Sequence, residues 1–155
     1  MILCTECYIQ TKGQTLMLHR CKKENDINEG KYIGLGGRFE AGESPEECLL
    51  REIREEAGVT LTDYRFRGTI TFVTLGKEDE SIYMFVYTAG HYSGEIKEDC
   101  DEGELHWVAT ERIGELNLWE GDRLLWQWLG ADEGFFNAKF VYDGESLVEH
   151  HVRMY

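Results

Sequence analysis

Residues 37–59 read GRFEAGESPEECLLREIREEAGV, and seven of them are acidic. Glu52, Glu55 and Glu56 follow Arg51 in a segment of helical character, at positions i, i+3 and i+4, so their carboxylates converge on one patch. Like charges at this spacing destabilise an exposed helix by roughly 0.2–0.5 kcal/mol per pair. Glu55 and Glu56 also stand in the last turn, where the helix dipole disfavours anions. The other residues have structural explanations: Glu46 and Glu47 complement the dipole at the N-terminus, Arg51 and Glu55 can pair on the surface, and Cys48, Leu49 and Ile53 form an apolar stripe. A divalent cation reverses the sign of the carboxylate repulsion, because Mg²⁺ or Mn²⁺ prefers hard oxygen donors. The three glutamates therefore read as a metal site.

The flanking sequence supplies the elements that must hold this helix. Ser44-Pro45-Glu46-Glu47 is a strong start, with serine as cap, proline at the first helical position and Glu47 completing a capping box. The helix should end near Ala57, with Gly58 as a left-handed stop. Upstream, ILCTECYIQ and TLMLHR read as strands joined by a glycine turn, followed by a polar loop from Cys21 to Lys31 and the short segment YIGLGG. Downstream, RFRGTITFVTL and SIYMFVYTAG read as strands around GKEDE, the acid-rich EIKEDCDEGE as a loop, and LHWV as a short strand. Leu124, Leu125, Trp128 and Leu129 form the stripe of a second helix over about Gly121–Leu129, and a closing hairpin turns at Asp143-Gly144. This order predicts an α+β sheet covered by helices, not a doubly wound repeat.

The 155 residues suit a single domain, 1–155, and with one proline and no low-complexity tract there is no linker. The balance of 30 Asp+Glu against 16 Lys+Arg, a formal charge of −14, argues against a nucleic-acid polymer or an anionic membrane as partner. A phosphorylated small molecule is compatible with it if cations lie between the two anions. No run of 18 apolar residues and no signal-peptide pattern is present, so a cytoplasmic protein is expected. The Cys4-x-x-Cys7 pair sits in a strand, where residues three apart face opposite ways, and no second pair completes a tetrahedral site; the five cysteines read as reduced thiols.

The stretch resembles the Nudix box, G-x5-E-x7-R-E-U-x-E-E-x-G-U with U apolar. Gly37, Glu43, Arg51, Glu52, Ile53, Glu55, Glu56, Gly58 and Val59 occupy all nine defined positions. The resemblance implies a Nudix α/β/α sandwich around a mixed sheet, and Mg²⁺-dependent hydrolysis of a nucleoside diphosphate linked to another moiety, with Mn²⁺ as an alternative cation. It assigns Glu52, Glu55 and Glu56 as metal ligands, joined by the carbonyl of Gly36, and gives Arg51 and Glu43 the task of orienting them. A further ligand or general base on a distant loop, shortly before a tryptophan, corresponds to Glu102 in DEGELHW, ahead of Glu104.

Beyond the box the chain looks similar to the MutT-type nucleoside triphosphatases, in particular the oxidised-purine branch acting on 8-oxo-dGTP, through YIGLGG, TITF, NLWEGD and the final hairpin. It lacks the proline downstream of the box that is usual in ADP-ribose hydrolases, the upstream signature of the coenzyme A branch and the tyrosine of the dinucleoside polyphosphate branch. The resemblance places Phe72 and Trp119 on either side of a purine ring, Asp122 at its edge and Ile33 where the oxidised-purine branch has an asparagine. Gly121 replaces one of two adjacent aspartates of that branch. Lys23, Arg20 and Arg38 are candidate phosphate contacts. The expected product pair is a nucleoside monophosphate and pyrophosphate, from a monomer or homodimer. Another nucleoside diphosphate derivative, or a nucleotide sensor without turnover, is the alternative.

Overall fold

The computed structural model describes residues 1–130 and 134–155. The capping box forms: the Ser44 hydroxyl accepts from the Glu47 amide and the Glu47 carboxylate accepts from the Ser44 amide at 2.8 Å. From this cap α1 runs over Pro45–Ala57 and stops at Gly58, whose φ of 76° is the left-handed conformation glycine adopts at no steric cost.

Among the described residues, ten strands form one mixed sheet. They are β1 (Ile2–Thr11), β2 (Gln14–His19), β3 (Tyr32–Ile33), β4 (Leu35–Arg38), β5 (Thr60–Thr74), β6 (Ile82–Ser93), β7 (Asp99–Cys100), β8 (Gly103–Ala109), β9 (Phe136–Asp143) and β10 (Ser146–Met154). The order is β10-β9-β5-β6-β1-β2-β8-β7, with β3 on β2 and β4 on β1. Pairs β1–β6 and β5–β9 are parallel, and the other pairs are antiparallel. The second helix, α2, spans Glu120–Gly130, one residue longer at each end than the span expected from its apolar stripe.

Alternation along the strands builds two cores, one on each face. Leu49, Ile53 and Ala57 of α1 pack with Cys7, Ile9, Leu16, Leu18 and Leu105. Leu125 and Leu129 of α2 pack with Tyr8, Met17, Ile70, Val86 and Phe140 on the other side. The result is helix, sheet, helix, as expected from the order of elements. All five cysteines are free, and Cys7 is a core side chain while Cys21 is exposed. No helix among the described residues is long and apolar enough to cross a membrane.

Because α1 carries the acidic patch, its cap bears on the site as well as on stability. Ser44→Ala should cost about 1 kcal/mol, seen as a fall in Tm of roughly 2–4 °C in thermal unfolding. An unchanged Tm would mean that packing alone fixes the start of α1.

Candidate active site

Glu56 is the unusual residue of α1. It shares the helix's buried stripe with Leu49 and Ile53 and is only 6% exposed, yet among the described residues its carboxylate accepts one long contact of 3.4 Å, from the Gly36 amide to its Oε2. Burial pushes its pKa well up, and the nearby Glu102 and Glu52 push it further. Glu52 is also raised, chiefly by burial. Three carboxyl groups from α1 and a distant loop therefore face a shared space with too little positive charge to balance them.

Arg51 organises the exposed side of this cluster. Its Nε and Nη2 grip the two oxygens of Glu43 at 2.5 and 2.9 Å, a planar fork that matches a carboxylate. Its Nη1 donates to Glu52 at 2.8 Å and to Glu55 at 3.3 Å, and Nη2 also reaches the carbonyl of Arg38. The Arg51 hydrogen bonds hold the Glu43 carboxyl down at about 2.

Two glycines let strand and helix approach this closely. A Cβ on Gly37 would lie 2.5 Å from the Glu52 carboxyl carbon, so the carboxylate rests where a side chain would be. A Cβ on Gly36 would lie 2.0 Å from the Thr5 carbonyl across the β1–β4 ladder, in which Glu6 pairs with Gly36 and Thr5 with Gly37. The Gly36 position is thereby fixed beside Glu56.

Glu102 reaches the cluster from the turn between β7 and β8. Arg20 holds its Oε2 at 2.7 Å while also gripping Asp26 at 2.7 Å, and Lys23 stands 3.5 Å from its Oε1. Glu104 points elsewhere: its carboxylate meets His106 at 3.1 Å and is half exposed. Glu104 thus lies in β8 and not in the loop expected from the sequence, and of the two acids Glu102 is the one near Glu52 and Glu56. Arg20 is thus committed to carboxylates, Lys23 keeps half its surface open, and Arg38 is exposed.

On the α2 face lies a second polar site. Trp119 donates its Nε1–H to Asn28 at 2.8 Å, and Lys31 stands 4.6 Å from the centre of its ring. Phe72 packs edge-on to Phe140 in the same core cluster. Asp122 is 5% exposed, and no hydrogen bond to its carboxylate is found among the described residues. Burial raises its pKa well above the usual range, and Glu6 adds to the effect. Gly121 has a local cause: its amide donates to the Tyr142 hydroxyl at 2.9 Å, and a Cβ there would strike Phe140 and Tyr142 at 2.7 Å.

Ile33 is not part of this group. Opposite Leu18 in the β2–β3 ladder, it packs into the α1-side core, and its neighbour Tyr32 is the residue on the Trp119 side. Strand alternation makes that exchange, since consecutive side chains leave opposite faces. Glu6 is the residue that sequence reading missed. It is 8% exposed, and its Oε1 accepts from the Tyr8 hydroxyl at 2.8 Å and from the Gly34 amide at 2.9 Å. The available signal was a lone charged residue in the otherwise uncharged run ILCTECYI.

The donor set around α1 fits a hard divalent cation. The buried Glu56 carboxylate, close to Glu52 and Glu102 and beside the backbone of Gly36, supplies oxygen donors of the kind such an ion needs.

Two measurements follow from this geometry. Gly37→Ala should displace the Glu52 carboxylate and weaken divalent-cation affinity by about 10–100-fold, read by calorimetric titration, whereas Gly114→Ala, in open space, should not. Glu56 has a folded-state pKa above its unfolded value, so it costs nothing below about pH 4.3 and progressively destabilises the chelator-treated chain as pH rises through the folded pKa. Glu56→Gln should therefore have the higher Tm at pH 8 and a similar Tm at pH 4; an equal or lower Tm at pH 8 would mean that the burial is already compensated.

The NUDIX domain model matches residues 7–129 of the chain. It is 30% identical over 129 residues to an oxidized purine nucleoside triphosphate hydrolase from Danio rerio, spanning 83% of this chain and 81% of that protein. It is 28% identical over 145 residues to the uncharacterized Nudix hydrolase YvcI from Bacillus subtilis, spanning 91% and 87%. The crystal structure of a mutator MutT protein from Bacillus halodurans superposes with a TM-score of 0.88 at 25% identity, covering 98% of this chain and 97% of that one. With the box complete and its carboxylates gathered around Arg51, the chain belongs to the Nudix family and is a hydrolase of MutT-like fold.

Proposed function

We propose that this single domain, residues 1–155, is a Mg²⁺-dependent nucleoside triphosphate pyrophosphohydrolase. It releases pyrophosphate and a nucleoside monophosphate, with oxidised purine deoxynucleotides such as 8-oxo-dGTP as the leading substrates. The observation that carries the reading is the pairing of two sites joined through β1 and β4: the box carboxylates, and the buried carboxyls of Asp122 and Glu6 on the side of the sheet where Trp119 packs. The likeness to the Danio rerio hydrolase supports the choice of an oxidised purine.

Glu52, Glu55 and Glu56, with the Gly36 carbonyl and Glu102, would hold the cation. When bound, it supplies neutralisation of the phosphate oxygens and a water of lowered pKa. Arg51 and Glu43 keep the glutamates in place. Lys23, beside Glu102, offers a cation to the polyphosphate. Glu102 is the first candidate to take the proton of the attacking water, a contribution worth roughly 10²–10⁴ in rate. Trp119 and Phe72 offer aromatic faces to a base. Two carboxyls buried near each other resist double ionisation, so the pair presents both an O–H donor and acceptor oxygens to a base edge that mixes N–H and C=O groups.

The test is pyrophosphate release with Mg²⁺ across 8-oxo-dGTP, 2-hydroxy-dATP, dGTP, dCTP and ADP-ribose. Wild type should favour an oxidised purine in kcat/KM, and Glu56→Gln should abolish turnover of every substrate while remaining folded. Glu6→Gln and Asp122→Asn should each lower the preferred purine roughly 10- to 100-fold, the range for losing a hydrogen bond to a buried charged group. Their effect on dCTP should be much smaller. Uniform, feeble activity across the panel, or equal losses on all substrates, would remove the base-pocket assignment.

A further inference from the structure

A second group of metal-ligating side chains lies outside the box and outside the base pocket. His19 at the end of β2, Cys21 two residues on, and Glu104 of β8 each offer a donor atom, and these atoms all lie within 4.8 Å of one another. The sheet register makes the meeting: His19 and Glu104 are direct partners in the antiparallel β2–β8 ladder, so their side chains leave the same face.

Neighbouring rings restrain two of the three donors. The His19 imidazole stacks on Tyr32 with centroids 4.3 Å apart and planes 8° from parallel. His106, two residues along β8 on the same face, holds the Glu104 carboxylate at 3.1 Å through its Nε2. A carboxylate so held by a histidine is oriented by it, as metal-bound carboxylates commonly are by a neighbouring hydrogen bond.

The donor types separate this cluster from the box. The box offers oxygen alone, which suits Mg²⁺, whereas an imidazole nitrogen, a thiolate and a carboxylate suit Zn²⁺ and its tetrahedral relatives. Bonds of about 2.0–2.3 Å in a tetrahedron put donors roughly 3.3–3.8 Å apart. The cluster needs to close by about 1 Å to reach that spacing, which rotation of exposed Cys21 and half-exposed Glu104 allows.

We propose that His19, Cys21 and Glu104 form a transition-metal site of the Zn²⁺ class, with water at the fourth position and His106 as the residue that positions Glu104. On binding, the Cys21 thiol gives its proton to solvent and the sulfur donates to the metal. The ion fastens residues 19 and 21 to β8 on both sides of Arg20, the residue that holds Glu102. This site is separate from the Mg²⁺ assignment and does not depend on it.

Co²⁺ titration of the full chain, reduced and without a histidine tag, tests the site by a readout independent of turnover. Stoichiometric Co²⁺ should give the visible bands of a tetrahedral site and an ultraviolet sulfur-to-cobalt charge-transfer band, which excess Zn²⁺ abolishes. Cys21→Ser should lose the charge-transfer band, and His19→Ala should weaken binding at least tenfold. Both positions lie outside the buried core, so circular dichroism should be unchanged. Glu56→Gln, which removes a box oxygen donor, should keep the band. Absence of the band in the wild type, or its survival in Cys21→Ser, overturns the site.

Discussion

Glu56 is a carboxylate on the buried face of a helix, facing two other carboxylates, and much of the molecule around it manages that unfavourable placement. A group of this kind normally takes up a proton or finds a cation. No described residue nearby neutralises the cluster fully: Arg51 is engaged by Glu43 before it reaches Glu52 and Glu55, and Arg20 divides itself between Asp26 and Glu102. Those arginines fix where the carboxylates point without satisfying them. What remains is a preorganised set of oxygen donors, assembled at the expense of local stability.

The box carboxylates and the buried pair Glu6 and Asp122 are joined through one short stretch of backbone. In the segment entering the box, the Gly34 amide donates to Glu6 and the Gly36 amide donates to Glu56. Neither position tolerates a side chain, because a Cβ on Gly34 would lie 2.7 Å from Glu6 and one on Gly36 would strike Thr5. The segment is thus pinned between β1 and α1, and the carboxyls of the two sites share a rigid reference. Such an arrangement suits a reaction in which a base is held at one place and a polyphosphate at another, since positioning errors of an ångström are costly in rate.

A similar economy of support operates on the α2 face. Gly121 leaves room for Phe140 and Tyr142 to close over the start of α2, and its amide donates to the Tyr142 hydroxyl. The second acid near Asp122 comes instead from β1, where Tyr8 and the Gly34 amide hold Glu6. The two buried acids on this face therefore come from two elements distant in sequence.

The helix with its cap, its glycine stop and the convergence of Glu52, Glu55 and Glu56 could be read from the sequence alone, because i, i+3 and i+4 spacing and capping chemistry are local. Strand alternation and element order likewise carried the sandwich, since a period of two decides which side chains can be buried. The tertiary structure decided what local rules cannot reach. It placed Glu102 near the box and Glu104 away from it, because Glu102 stands in the turn between β7 and β8 within reach of Arg20, whereas Glu104 lies in β8 and meets His106. It turned Ile33 into the α1-side core and set Tyr32 by Trp119, since the face of a two-residue strand depends on its register with β2. It brought Glu6 near Asp122 across 116 positions of chain, a proximity that exists only once β1 and α2 pack together. Sequence spacing determines contacts within one element; which carboxyls share a pocket depends on the packing between elements.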